Sequence, residues 1–184
     1  ADPRRLSAGD PLDKQIAAWR AYVKTKGLPE KYFELRYARA WSLLVRACGF
    51  KLFRDVDVLN LGCFYPEDEE AFAHLAHAWV AIDFVPEVIE RCKRLTAHPS
   101  SAQFVKFEVA DMRNVPYDDK TFDVVTDFSS GDHLLKEDWL LVVAEVFRVL
   151  RPGGYFLVCF ANNEAFINFF GESWRSNPAQ SGEY

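Results

Sequence analysis

From residue 56 onward, short apolar runs alternate with longer stretches in which apolar residues recur every three or four positions. The first pattern belongs to buried strands and the second to amphipathic helices. Val56 to Cys63, reading VDVLNLGC, opens the series. Its apolar run is stopped by Gly62 and followed by Pro66 and the acids Glu67 to Glu70, which predicts a strand, a tight turn and a helix that continues through Ala71 to Ala78. Trp79 to Asp83 predicts a second strand ending on a carboxylate. Pro86 to Leu95 follows as a helix with proline in its first turn, where the missing N–H costs nothing. Phe104 to Val109 predicts a third strand that runs out at Ala110-Asp111-Met112, and Asn114 to Thr121 a polar connection. Phe122 to Phe128 predicts a fourth strand, Ser129 to His133 a loop, and Glu137 to Leu150 a helix. Pro152-Gly153-Gly154 reads as a turn before a fifth strand, Tyr155 to Phe160.

Upstream, residues 12–26 carry Leu12, Ile16, Trp19, Tyr22 and Val23 at helical spacing up to Gly27, and Tyr32 to Cys48 predicts a second helix after Pro29. Residues 1–50 are thus expected to form a helical cap, and residues 51–184 the sheet domain. Strands alternating with helices at this spacing imply βαβ units with right-handed crossovers. The expected class is α/β, a Rossmann-like doubly wound and mostly parallel sheet.

A formal net charge of −5 and the lack of any long Lys/Arg cluster argue against a protein that grips nucleic acid through its phosphates. About half of the 184 residues are apolar, enough to bury a core. Cys48, Cys63, Cys92 and Cys159 form no C-x-x-C pair, so reduced thiols are expected and no zinc site. His74 and His77 are three apart without a third ligand, and no metal is expected there. No apolar run approaches a bilayer span and no signal peptide is legible, so the expected setting is the cytoplasm, with no membrane contact.

Taken in order and spacing, VLNLGC, WVAIDF, VADMRNVPYDDKTFDVV and EVFRVLRPGGYFLV resemble the class I S-adenosylmethionine-dependent methyltransferases, especially the small-molecule, type 11-like kind, from about Asp57 to Phe160. The resemblance implies transfer of the methyl of S-adenosylmethionine to a small-molecule substrate. It places Asn60, Gly62 and Cys63 at the cofactor, the last two lining the methionine arm with backbone groups. Asp83 would accept from both ribose hydroxyls, since a carboxylate has two acceptor oxygens for a vicinal diol. Phe84 would flank the adenine, Asp111 would accept from its amine, and the Met112 N–H would meet a ring nitrogen. Asp127, Phe128 and Ser129 would face the methyl group, with Tyr32, Arg36 and Tyr37 closing over the site.

The family's first motif usually reads G-x-G-x-G, whereas this chain has Gly62-Cys63-Phe64-Tyr65-Pro66. The alternative reading is therefore a methyltransferase-like domain that has lost cofactor binding and serves as a binding or assembly module. A dinucleotide-binding oxidoreductase is a third reading, opposed by the broken glycine fingerprint. The residues after Phe160 are too few and too polar for the hairpin that usually completes the sheet. The C-terminal strands are expected to be missing or truncated, and the fifth-strand edge to be covered by the tail or by a second copy in a homo-oligomer. Asp132 and His133 form the one candidate acid/base pair on the substrate side, the bland alternative being a solvated or capping loop histidine. Glu67 to Glu70 read most simply as dipole-favoured residues of a helix start. Phe166, Phe169, Phe170 and Trp174 read as core or interface.

Overall fold

The computed structural model describes residues 12–26, 52, 54–96, 104–128 and 130–159. Its strands are β1 (Asp57–Leu61), β2 (Ala78–Asp83), β3 (Val105–Val109), β4 (Phe122–Phe128) and β5 (Leu150–Cys159), and its helices are α1 (Leu12–Lys26), α2 (Glu67–Phe72), α3 (Pro86–Leu95) and α4 (Lys136–Val149). All the strand pairs are parallel, in the order β3-β2-β1-β4-β5. The expected Rossmann-like, doubly wound architecture is what the chain adopts. The strand order reverses between β1 and β4, which opens a crevice at their carboxyl ends.

The continuous apolar runs of β1, β2 and β4 follow from burial on both faces. On one face Val58, Trp79, Ala81 and Val124 pack with Val88, Ile89 and Cys92 of α3 and Val23 of α1. On the other, Leu59, Leu61, Val80, Ile82 and Val125 pack with Trp139, Val142, Val146 and Val149 of α4. α3 starts on Pro86 with Glu87 in its first turn and ends with Lys93 and Arg94, which suits both its N–H count and its dipole.

Three elements depart from the sequence expectation. The helix after β1 stops at Phe72 and tightens into a 3-10 turn, Ala73–Leu75, instead of reaching Ala78. Backbone pairing wins there, because the Leu75 carbonyl accepts from Asp55 N–H at 3.1 Å and His77 N–H donates to the Val56 carbonyl at 2.9 Å. Gly131–His133 forms a 3-10 turn where a loop was expected. Pro152-Gly153-Gly154 lies within β5 as an irregularity rather than before it: Leu150 pairs with Phe122 and Tyr155 with Val124, so Arg151 to Gly154 stand against Asp123 alone. Gly153, at φ +84°, takes the left-handed conformation this bulge requires. The second cap helix at Tyr32 to Cys48, with Arg36 and Tyr37, lies outside the described residues, as do Ser129, Phe160 and the aromatic tail.

Two clusters of charge tie the ends of the sheet. Below β1, Arg151 reaches Asp57 at 2.9 Å and Asp123 at 2.6 Å, and His77 Nδ1 lies 2.8 Å from Asp57. Along α4, Arg148 donates to the carbonyls of Tyr117 (2.7 Å) and Val115 (2.9 Å) and to Asp119 and Glu145, while Glu145 accepts from Val115 N–H at 2.8 Å. Residues 113–121, which have no helix of their own, are thereby fastened to α4. Arg148→Ala removes these charge-assisted bonds together and is expected to destabilise the fold by about 2–3 kcal/mol, read from urea unfolding as a lower midpoint at unchanged slope.

Candidate active site

At the end of β1 the chain must reverse sharply, and Gly62 does so at φ +66°. A Cβ there would fall 2.4 Å from Ser130 Cβ and 3.5 Å from Met112 Cε, so the space freed by the glycine is filled by protein. Ser130 Oγ also lies 3.0 Å from the Leu61 carbonyl, sharing its one proton between that oxygen and Asp127, which draws the loop after β4 onto the turn after β1. Cys63 N–H extends the ladder to the Ile82 carbonyl at 3.0 Å, and its buried thiol is pushed up by desolvation and the neighbouring Cys92. Without further glycines the turn is held by side chains: Arg91 lies 4.3 Å from the centre of the Tyr65 ring, and Phe64 packs edge-on against Tyr65 at 5.1 Å.

Beneath the turn sits a buried polar knot. Asn60 Nδ2 donates to Glu69 Oε1 at 2.6 Å, Trp79 Nε1 donates to the same oxygen at 3.2 Å, and Thr126 Oγ1 donates to Asn60 Oδ1 at 3.1 Å. Asn60, expected at the cofactor, instead spends both ends of its amide on the core and is only 3% exposed. Glu69, expected as a dipole-favoured acid of a helix start, lies in that helix but is wholly buried, with no hydrogen-bond partner for Oε2 among the described residues. Burial, then the Asp68 charge, pushes it from 4.5 to about 8.

Asp83 closes β2. Its carboxylate accepts from Val85 N–H at 2.9 Å and from Phe64 N–H, is buried, and makes no ion pair among the described residues. Burial pushes it from 3.8 to about 7. Ala110 N–H donates to the Asp83 carbonyl at 3.1 Å, so Asp111 stands on the adjoining strand end as the sequence expects. Both Asp111 oxygens are gripped by Arg113, at 2.9–3.1 Å, and Arg113 Nη1 reaches Asp138 of α4 at 2.8 Å. Met112 is buried and its side chain reaches back to Gly62. Phe84 and Phe128 are half-buried against the α3 face of the sheet.

Asp127, expected to face a substrate, is turned inward. It is fully buried and accepts from the N–H groups of Ser130 (2.9 Å) and Gly131 (3.0 Å) and from Ser130 Oγ, which shapes the loop. His133 is exposed beside it, its ring centre 4.9 Å from that of Trp19. Asp132 lies in the same 3-10 turn, and its side chain lies outside the described residues. Sequence reasoning missed Trp19, one apolar position among several in an amphipathic helix. It also missed Glu69, although Asn60 and Thr126 in apolar strands were a usable signal that a buried polar partner had to exist.

Among the described residues no cluster of three or more His, Cys, Asp or Glu is placed to hold a metal ion, and no helix is long and apolar enough to cross a membrane.

Glu69 gives the stability a definite pH dependence. Between about pH 4.5 and 8 the folded state holds a proton that the unfolded chain has lost, so stability falls as pH rises through this window and levels off above it. Glu69→Gln is expected to raise the unfolding temperature relative to wild type at about pH 8, with the gain shrinking toward about pH 5. Calorimetric scans at the two pH values check it.

The methyltransferase-domain family matches residues 59–158, more than half of the chain. Over 139 residues, 74% of this chain and 48% of the relative, the sequence is 27% identical to a probable S-adenosylmethionine-dependent methyltransferase of Mycolicibacterium smegmatis. It is 34% identical over 79 residues, 43% of this chain and 22% of the relative, to the chloroplastic tocopherol O-methyltransferase of Arabidopsis thaliana. The chain spans about half or less of the length of these relatives. Among solved structures it resembles phosphoethanolamine N-methyltransferase 1 of Haemonchus contortus, in complex with phosphoethanolamine and S-adenosylhomocysteine, with a TM-score of 0.67 at 18% identity over 83% of this chain and 33% of that one. With the strand order, the crevice beside β1 and the acid-ended β2 all in place, the chain belongs to the class I S-adenosylmethionine-dependent methyltransferase family.

Proposed function

We propose that this protein transfers the methyl group of S-adenosylmethionine to a small-molecule nucleophile. The observation that carries the reading is Asp83, a buried carboxylate with no ion pair among the described residues, at the strand end where open α/β sheets bind their ligands. A buried carboxylate at that strand end suits a partner that brings hydroxyl donors. When bound, S-adenosylmethionine supplies a methyl carbon activated by the positive sulfur.

Asp83 has lone pairs left beside the bonds from Val85 and Phe64 and offers them to the ribose diol. Asp111, held flat by the Arg113 fork, offers its remaining lone pairs to the adenine amine, with the Met112 N–H toward a ring nitrogen and Phe84 along the base. The backbone of Gly62 and Cys63 lines the methionine arm. Asn60 and Asp127 act from behind, the first bracing β1 and the second shaping the β4 loop. His133, with Asp132 beside it in sequence, receives the proton of an attacking hydroxyl or amine. The relative named for tocopherol supports a small-molecule acceptor. Reduced, buried Cys63 and Cys92 suit a cytoplasmic setting.

Loss of cofactor binding would follow if Phe64 filled the turn. Instead its N–H serves Asp83 and its ring packs with Tyr65 and Trp19, which supports a working turn.

Calorimetry with S-adenosylhomocysteine tests the proposal. Asp83→Ala is expected to weaken binding by about 1.5–3 kcal/mol. Because the ionised carboxylate is the better acceptor, wild-type affinity is expected to rise as pH passes through about 7, and this dependence is expected to vanish in Asp83→Asn. Absence of binding by the wild type would overturn the proposal.

A further inference from the structure

Trp19 belongs to α1, outside the sheet, yet its ring lies against residues on both banks of the crevice. It meets Phe64, on the turn after β1, with centroids 6.3 Å apart and planes at 64°, and His133, in the turn after β4, at 4.9 Å and 69°. Tyr22, one helical turn on, backs it at 5.7 Å. The helix is anchored independently of this contact. Val23 is buried in the core, and Arg20 bridges to Glu87 at 2.8 Å in the first turn of α3. Phe64, His133 and Glu87 all stand at the carboxyl end of the sheet, so α1 lies across the end where the ligand site is.

We infer that Trp19 is the gate of this cleft: the Phe64–Trp19–His133 bridge closes the crevice between β1 and β4, and a ligand enters only when the indole leaves it. The inference rests on the methyltransferase reading above. Its basis is space. A flat group slipped between two rings needs about 3.5–4.0 Å of carbon contact on each side, or roughly 7 Å between centroids, and the indole and imidazole are closer than that. An acceptor cannot reach His133 from the side Trp19 covers, and the methionine arm of the cofactor lies at the turn that carries Phe64. The two ring contacts stabilise the closed state, and their loss shifts the open fraction without touching Asp83, Asp111 or the backbone of the turn.

Surface plasmon resonance of S-adenosylhomocysteine on the immobilised protein, with wild type, Trp19→Ala and Trp19→Phe, reads this directly. Trp19→Ala is expected to raise both the association and the dissociation rate, by about tenfold, with Kd changing less than either rate. Trp19→Phe, which keeps a ring in the bridge, is expected to stay near wild type. Should circular dichroism show Trp19→Ala to be unfolded, Phe64→Ala breaks the bridge at its other end and is expected to speed both rates in the same way. Binding with unchanged rates in the broken-bridge variant overturns the gate and leaves the cofactor reading standing. So does a faster dissociation alone with a proportional loss of affinity, the mark of a merely structural contact. No binding by wild type or by either broken-bridge variant overturns the cofactor reading and the gate with it.

Discussion

The middle strand makes hydrogen bonds in two directions, and the rest of the molecule depends on it. β1 pairs with β2 on one side and β4 on the other, so the chain must leave it one way and return on the opposite flank. Right-handed crossovers then lay α3 and α4 on opposite faces, and the crevice beside β1 follows as a matter of topology. A strand in that position has no solvent face. Asp57 stands at its amino end, but Asn60 in its middle had to be paired inside the protein, and Glu69 and Thr126 are the partners it found, with Trp79 donating to the same Glu69 oxygen.

The same residue types meet opposite fates at the two ends of the sheet. Asp57 and Asp123, at the amino end, face Arg151 and, for Asp57, His77; burial is the largest single influence on the Asp57 carboxyl and raises it, but the hydrogen bonds and charges of His77 and Arg151 together outweigh it and hold the group low. Asp83 and Glu69, toward the carboxyl end, are both pushed up by burial, Glu69 further by the Asp68 charge. Desolvation without a counter-charge costs stability. One end of the sheet is therefore built for cohesion, while the other holds buried carboxyl groups without an ion pair among the described residues.

Most of the strands and helices were legible because burial on both faces leaves apolar runs that little else produces. Asp83 and Asp111 were legible because an acid that ends such a run stands out. What escaped was decided by pairing at a distance. The early end of α2 depends on Asp55 and Val56, which compete for the backbone of residues 75–77, and no local propensity records that. In the run Glu67 to Glu70, four acids look alike, and only the three-dimensional position of Asn60 and Trp79 singles out Glu69. The inward turn of Asp127 follows from the N–H groups of Ser130 and Gly131, an arrangement set by the loop rather than by the strand. Trp19 is the extreme case, since its partners come from the turns after two neighbouring strands that lie far from it in sequence.

The loop from Asp111 to Thr121 shows where an entropic cost falls. With Arg113 clamped to Asp138 and Arg148 to the Val115 and Tyr117 carbonyls, this irregular segment is ordered before any ligand arrives. Fixing it is charged to folding, where the whole core shares the cost, rather than to each association event. The Asp111 side of the cleft is thus rigid in advance, so the motion that the proposed gate requires falls on the aromatic bank opposite.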